Sequence, residues 1–169
     1  MVSDVGVSAR DIAARVPDPE LPMVTLADLG ILRDVVEDGN RVTVTVTPTY
    51  SGCPAMAEIG ADLRRRLVAA GYADVTVRTQ LAPAWTSDWI TAAGRRKLAA
   101  AGIAPPHAVT PRPAGVPVPL TLGRRPDPVC CPRCGSARTR ETSAFSATAC
   151  KALYRCRECQ EPFEYVKDI

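Results

Sequence analysis

Between Arg41 and Thr47 the residues alternate, with Val42, Val44 and Val46 on one side and Thr43, Thr45 and Thr47 on the other. A period of two is that of a strand with one face buried. Ile31–Glu37 predicts a preceding strand, folded back onto Arg41–Thr47 by the turn signal Asp38-Gly39-Asn40. Val75, Val77, Thr79 and Leu81 alternate over 74–81 and predict a third strand. Between the second and third strands the period lengthens. Met56, Ile59, Leu63 and Leu67 make one apolar stripe on a helix from Pro54 to Ala70, stopped by Gly71. Ser8–Val16 is a short helix, with Ser8 and Asp11 at capping-box spacing. Pro17 and Pro19 force an extended loop over 17–22, and Thr25–Gly30 suits one helical turn. Thr86 or Ser87 caps a last helix over 88–101, ended by Gly102. The order α-β-β-α-β-α predicts an α+β fold, a small mixed sheet with helices on one face.

This pattern ends at a proline-rich stretch. Eight prolines fall between Pro105 and Pro128, each fixing φ and removing a donor, so neither helix nor central strand persists there. An extended linker is one reading. Another is an edge segment, because Val116, Val118, Leu120 and Leu122 alternate with prolines and a threonine. The expected organisation is a domain over 1–104, a linker over 105–129 and a small all-β module over 130–169. The charges change little in this picture. The net +3 is too small to argue for a nucleic-acid partner, and Arg64-Arg65-Arg66 and Arg95-Arg96-Lys97 read as solvated helix faces.

The cysteines define the chemistry. Six of the seven lie beyond residue 129. An odd number, with no secretory signal at the start, points to a reducing cytoplasmic setting and metal or thiol chemistry rather than disulfides. No run of about 18 apolar residues offers a membrane span. One histidine, His107, leaves no Ser-His-Asp triad or two-histidine metal site. Glycine-rich phosphate loops are absent. Cys131-Pro132-Arg133-Cys134 and Cys156-Arg157-Glu158-Cys159 are two CxxC knuckles 21 residues apart, the spacing of a zinc ribbon in which a hairpin returns one knuckle to the other. Some 40 residues with few large apolar groups need such a metal to fold, so structural zinc on Cys131, Cys134, Cys156 and Cys159 is expected. Cys130 and Cys150 are surplus, and an iron–sulfur cluster among the six thiols stays open as an alternative. Zinc ribbons also bind nucleic acid, but the module's five acids dilute its seven cations, so protein docking is favoured.

Cys53 stands apart in Thr47-Pro48-Thr49-Tyr50-Ser51-Gly52-Cys53-Pro54-Ala55. With Pro54 as first helical residue, Cys53 would cap the helix, near unpaired N–H groups and the positive dipole end that favour thiolate. A small buried apolar cysteine fits the same spacing equally well.

Asp18-Pro19-Glu20-Leu21-Pro22, Asp28-Leu29-Gly30-Ile31 and Gly52-Cys53-Pro54 resemble the SufT-like family of iron–sulfur assembly and targeting factors. The strings from Thr47 to Ala55, Trp85 to Thr91, Gly102 to Pro106 and Thr148 to Cys156 are similar to one branch, the PaaD family of small accessory subunits of the bacterial phenylacetyl-CoA oxygenase (epoxidase) system. The resemblance covers nearly the whole chain. It implies a non-catalytic accessory protein of phenylacetate degradation, with other subunits of that complex or their apo-forms as partners; a homodimer is a further option, while the composition and charge already disfavour a membrane or nucleic-acid partner. It also implies that Cys53 takes part in transient handling of iron or an iron–sulfur cluster, with Asp18 and Glu20 close by. Loop hydrogen bonding is the competing role for the two acids.

Overall fold

A computed structural model describes residues 7–107 and 128–169. The alternation at Val116, Val118, Leu120 and Leu122 lies outside the described residues. The chain divides into two compact units, 1–97 and 98–169, each with its own three-stranded sheet.

In the first unit α1 (Ala9–Ala14) starts where the capping pattern places it. Ser8 Oγ accepts the Asp11 N–H at 3.1 Å and donates to the Asp11 carboxylate at 2.7 Å. β1 (Leu32–Asp38) and β2 (Arg41–Val46) form the antiparallel hairpin, with Gly39 at φ +59° in the turn. β3 (Asp74–Thr79) lies parallel to β2. A parallel neighbour needs a crossover, and α2 (Ala55–Ala69) supplies it. Val42, Val44 and Val46 are buried on one face of β2, and the buried stripe Ile59, Leu63 and Leu67 of α2 joins the same core with Val16, Val24 and Leu26. Each such aliphatic side chain contributes roughly 1.5–3 kcal/mol by burial.

Two elements differ from expectation. β3 stops at Thr79, and Leu81 is 60% exposed. The Gln80 N–H still bonds to the Val46 carbonyl at 2.8 Å, and the Thr47 hydroxyl donates to the Gln80 carbonyl at 2.9 Å, which closes the ladder. The expected helix over 88–101 is two pieces, a 3-10 turn at Ser87–Trp89 and α3 (Ala92–Ala100). Ile90 is extended (φ −65°, ψ 121°), and the Thr91 N–H goes to the Asp28 carbonyl at 2.8 Å. Thr91 Oγ1 then accepts the Gly94 N–H at 3.0 Å and starts a new helix.

That Asp28 contact is part of a clasp between two motifs distant in sequence. Trp85 is buried and its Nε1 donates to the Leu29 carbonyl at 2.9 Å. Asp28 and Thr25 form a reciprocal cap, and Lys97 Nζ sits 2.6 Å from Asp28 Oδ2. Trp89 is half-buried, with the Arg33 guanidinium 3.7 Å above its ring. Burial pushes the Asp28 carboxyl up, but the hydrogen bonds from Lys97 and Thr25 outweigh it and hold the carboxyl below its ordinary value. A depressed folded-state value means stability that is present above about pH 3.9 and is lost as pH falls through the folded value. Asp28→Asn should therefore lower stability at pH 7 and flatten its acid-side decline, as read from urea midpoints at pH 7 and pH 3.

In the second unit β4 (Thr139–Ser143), β5 (Lys151–Cys156) and β6 (Pro162–Val166) form an antiparallel sheet in the order β4-β5-β6. The stretch after α3 joins this sheet. The Ala104 N–H bonds to the Glu164 carbonyl at 2.8 Å and the Val166 N–H to the Ala104 carbonyl at 3.0 Å. His107 follows, its Nδ1 3.1 Å from the Tyr165 hydroxyl and 3.0 Å from Asp168 Oδ2. The core is small: Ala104, Val129, Cys131, Ala152, Cys156, Phe163 and Tyr165, with Tyr154 packed against it. Phe145 and Leu153 do not contribute, being 63% and 36% exposed.

Candidate metal centre

The two knuckles converge. Cys131 precedes a tight turn in which the Gly135 N–H returns to the Cys131 carbonyl at 2.9 Å, with Gly135 at φ +73°. Cys156 ends β5, and its N–H bonds to the Glu161 carbonyl at 2.9 Å. Thr139 of β4 pairs with Cys156 of β5, so the hairpin brings the knuckles together. The four sulfurs all lie within 4.8 Å of one another. Cys131 Sγ is 3.7 Å from Cys159 Sγ, and Cys134 Sγ is 3.6 Å from Cys156 Sγ.

The donor set fits a tetrahedral thiophilic ion. A metal–sulfur bond of about 2.3 Å requires sulfur–sulfur edges of about 3.8 Å in a tetrahedron. The thiols also compete for protons. Burial raises Cys156, but the N–H groups of Cys159 and Glu158 and hydrogen bonds from Cys134 and Cys159 outweigh it and lower the thiol to about 7. At Cys159 the Glu161 N–H favours the thiolate, yet burial and the thiols of Cys134, Cys156 and Cys131 prevail and push it up to about 12. Four sulfurs this close ionise together only around a cation, so loading releases protons.

The other predicted residues are placed differently. Cys130 is exposed, and the Cys150 sulfur is 3.2 Å from the Thr148 hydroxyl; neither belongs to the quartet. Cys53 is half-buried in the turn between β2 and α2. Pro54, not Cys53, holds the helix-cap position, with helical φ −69° and ψ −23°. The ring presets that φ, so Cys53 sits one residue further from the dipole than the spacing suggested. Its N–H bonds to the Tyr50 carbonyl at 3.1 Å. Asp18 is buried, and its Oδ1 accepts the N–H groups of Glu20 and Leu21, both at 2.9 Å. The Glu20 side chain is exposed. Among the described residues Cys131, Cys134, Cys156 and Cys159 are the group of Cys, His, Asp or Glu side chains placed to hold a metal ion, and Cys53, Asp18 and Glu20 are not part of it. The sequence reading missed Lys97 as the partner of buried Asp28. The Thr25-x-x-Asp28 spacing was the available signal for the cap but carried none for the lysine.

Comparison with known proteins follows the same two-part division. Residues 11–78 match the family described as iron–sulfur cluster assembly protein, and residues 116–167 match the PaaD zinc beta ribbon domain. A protein of Escherichia coli, provisionally named as one of the subunits of 1,2-phenylacetyl-CoA epoxidase, is 44% identical over 94% of this chain and 90% of its own length. Among solved structures, the chain is similar to a domain of unknown function (DUF59) from Bacillus anthracis, at 28% identity, 53% of this chain, 87% of that chain and a TM-score of 0.49. It is also similar to a conserved hypothetical protein from Thermotoga maritima, at 27% identity, 53% of this chain, 89% of that chain and a TM-score of 0.45. Among the described residues no helix is long and apolar enough to cross a membrane. With both matches in chain order and one relative aligned across both units, the chain belongs to the PaaD family of phenylacetyl-CoA epoxidase subunits.

Proposed function

We propose that the chain is a non-catalytic, cytoplasmic accessory subunit of a phenylacetyl-CoA epoxidase, and that it assists maturation of an iron or iron–sulfur centre of that complex. The observation that carries this reading is the 44% identity to an epoxidase subunit over 94% of the chain. The residue inventory supports it. A single histidine rules out the paired Glu-x-x-His set of a di-iron carboxylate oxygenase. The quartet Cys131, Cys134, Cys156 and Cys159 would hold zinc, with four sulfurs filling its tetrahedron and no open position for chemistry. Zinc there supplies a clamp for the fold. The iron-handling role falls to Cys53, whose sulfur lies in a half-buried turn outside the clamp.

Cys53→Ser should leave zinc content and melting behaviour within experimental error of wild type. The activity of an epoxidase matured with this variant under iron limitation should drop at least fivefold. Wild-type activity under those conditions would remove the delivery role. A second reading, a subunit that only bridges others, draws on Asp18 Oδ1 accepting the loop N–H groups of Glu20 and Leu21. It predicts no effect of the Cys53 substitution and is separated by the same measurement.

A further inference from the structure

Each acid of the ribbon has a partner in its own unit. Glu161 pairs with Arg133 at 2.7 Å, Glu158 with Arg138, and Glu164 with buried Lys151 at 2.9 Å. Asp168 is 3.0 Å from His107 Nδ1, and Glu141 accepts from the Tyr154 hydroxyl at 3.2 Å. Lys167 donates to the Ala149 carbonyl at 2.8 Å and lies over the Phe145 ring. The five acids are thus occupied locally and do not cancel the remaining cations.

Two of those cations stand opposite each other. Arg140 of β4 and Arg155 of β5 are direct cross-strand partners, and both are exposed. Residues so paired have Cβ atoms about 4.5–5.5 Å apart, and like charges there are destabilising. Among the described residues no carboxylate bonds to either: Arg155 Nε donates to the Gln160 carbonyl at 3.2 Å, and no side-chain bond of Arg140 is seen. The strand alternation puts Leu153 and Glu164 on the same face, Leu153 exposed and Glu164 held by Lys151 and Ser146. Tyr154, Phe163 and Tyr165 point to the other face, into the core.

We infer that this face of the ribbon, centred on Arg140 and Arg155 and flanked by Leu153, docks an acidic segment of a partner protein. An arginine pair on one exposed face that no carboxylate among the described residues neutralises calls for carboxylates from a partner, and guanidinium forks bind them bidentately. An exposed leucine beside the pair suits a protein segment with an apolar residue among its acids. Single-stranded nucleic acid would also bring negative charge, but it binds by stacking on aromatic rings, and this sheet presents its rings to the opposite face. Identifying the partner with another epoxidase subunit rests on the proposed function; the surface itself does not.

The test uses the full-length, metal-loaded chain and its Arg140→Gln/Arg155→Gln variant. The probes are a labelled peptide of alternating glutamate and leucine, a single-stranded oligonucleotide, and the purified remaining epoxidase subunits. Wild type should bind the peptide, with affinity falling as salt rises from about 50 to about 300 mM. The double variant should bind it at least tenfold more weakly while its metal content is unchanged and its melting temperature is equal or higher, since a repulsive pair is gone. A merely structural pair would lower the melting temperature instead. Equal peptide binding by variant and wild type, or tighter binding of wild type to the oligonucleotide, overturns the inference. If the peptide result holds but the subunits fail to bind wild type, the surface stands and the assignment to the epoxidase fails.

Discussion

Stripping the metal from the four-cysteine cluster should unfold residues 129–169 and leave the first unit folded. The second unit's core is seven side chains with Tyr154 alongside, and two of the seven are the ligands Cys131 and Cys156. Removing the ion therefore removes the central tie of this core, and leaves sulfurs 3.6 and 3.7 Å apart that cannot all be charged. Structural zinc contributes roughly 10–16 kcal/mol to such modules at neutral pH, more than their folding free energy without it. Both tryptophans, Trp85 and Trp89, lie in the first unit, so their fluorescence reports on that unit alone. A chelator should leave tryptophan emission unchanged while opening 129–169 to protease, and Cys156→Ser should do the same without chelator. Resistance of 129–169 in the metal-free protein would show that its apolar core suffices.

Gly30→Ala should destabilise the first unit by about 2–5 kcal/mol, the sum of two effects. Gly30 has φ +68°, a conformation costly for any residue with a Cβ, and a Cβ there would fall 2.5 Å from Trp89 Cβ and 2.7 Å from the Trp89 carbonyl oxygen. That oxygen and Cβ belong to the 3-10 turn, which Trp85 and Thr91 fix to Leu29 and Asp28, so retreat would break the clasp. Gly71→Ala isolates the first effect. It too has positive φ, +101°, but nothing lies within 4 Å of its Cβ position. Urea unfolding followed by tryptophan fluorescence should give a loss for Gly30→Ala well above that for Gly71→Ala. Equal losses would mean that the contact with Trp89 yields without strain.

What could be read in the sequence was whatever short spacing decides. The alternation at 41–47, the stripe along α2, the Ser8–Asp11 cap and the two CxxC knuckles each depend on residues within a few positions, and all four appear where expected. The departures come from partners far along the chain. Nothing near Ile90 and Thr91 announces that the Thr91 N–H will leave the helix for the Asp28 carbonyl, 63 positions earlier. Ala104 looks like the end of the first domain and His107 like the start of a proline linker until β6 is seen beside them. The same limit governs the front site. The Gly-Cys-Pro turn is visible, but whether Asp18 faces Cys53 is tertiary information, and its Oδ1 is engaged by its own loop.

In the proposed reading the rear cluster clamps a fold, and iron handling belongs to a front cysteine outside it. Metal analysis of the full-length protein purified without oxygen, wild type beside Cys53→Ser, tests that division most directly. One zinc per chain in both proteins, with iron retained by wild type alone, is the predicted result. Iron in place of zinc, retained equally by both and giving a visible thiolate absorption, would contradict it by putting the iron chemistry on Cys131, Cys134, Cys156 and Cys159.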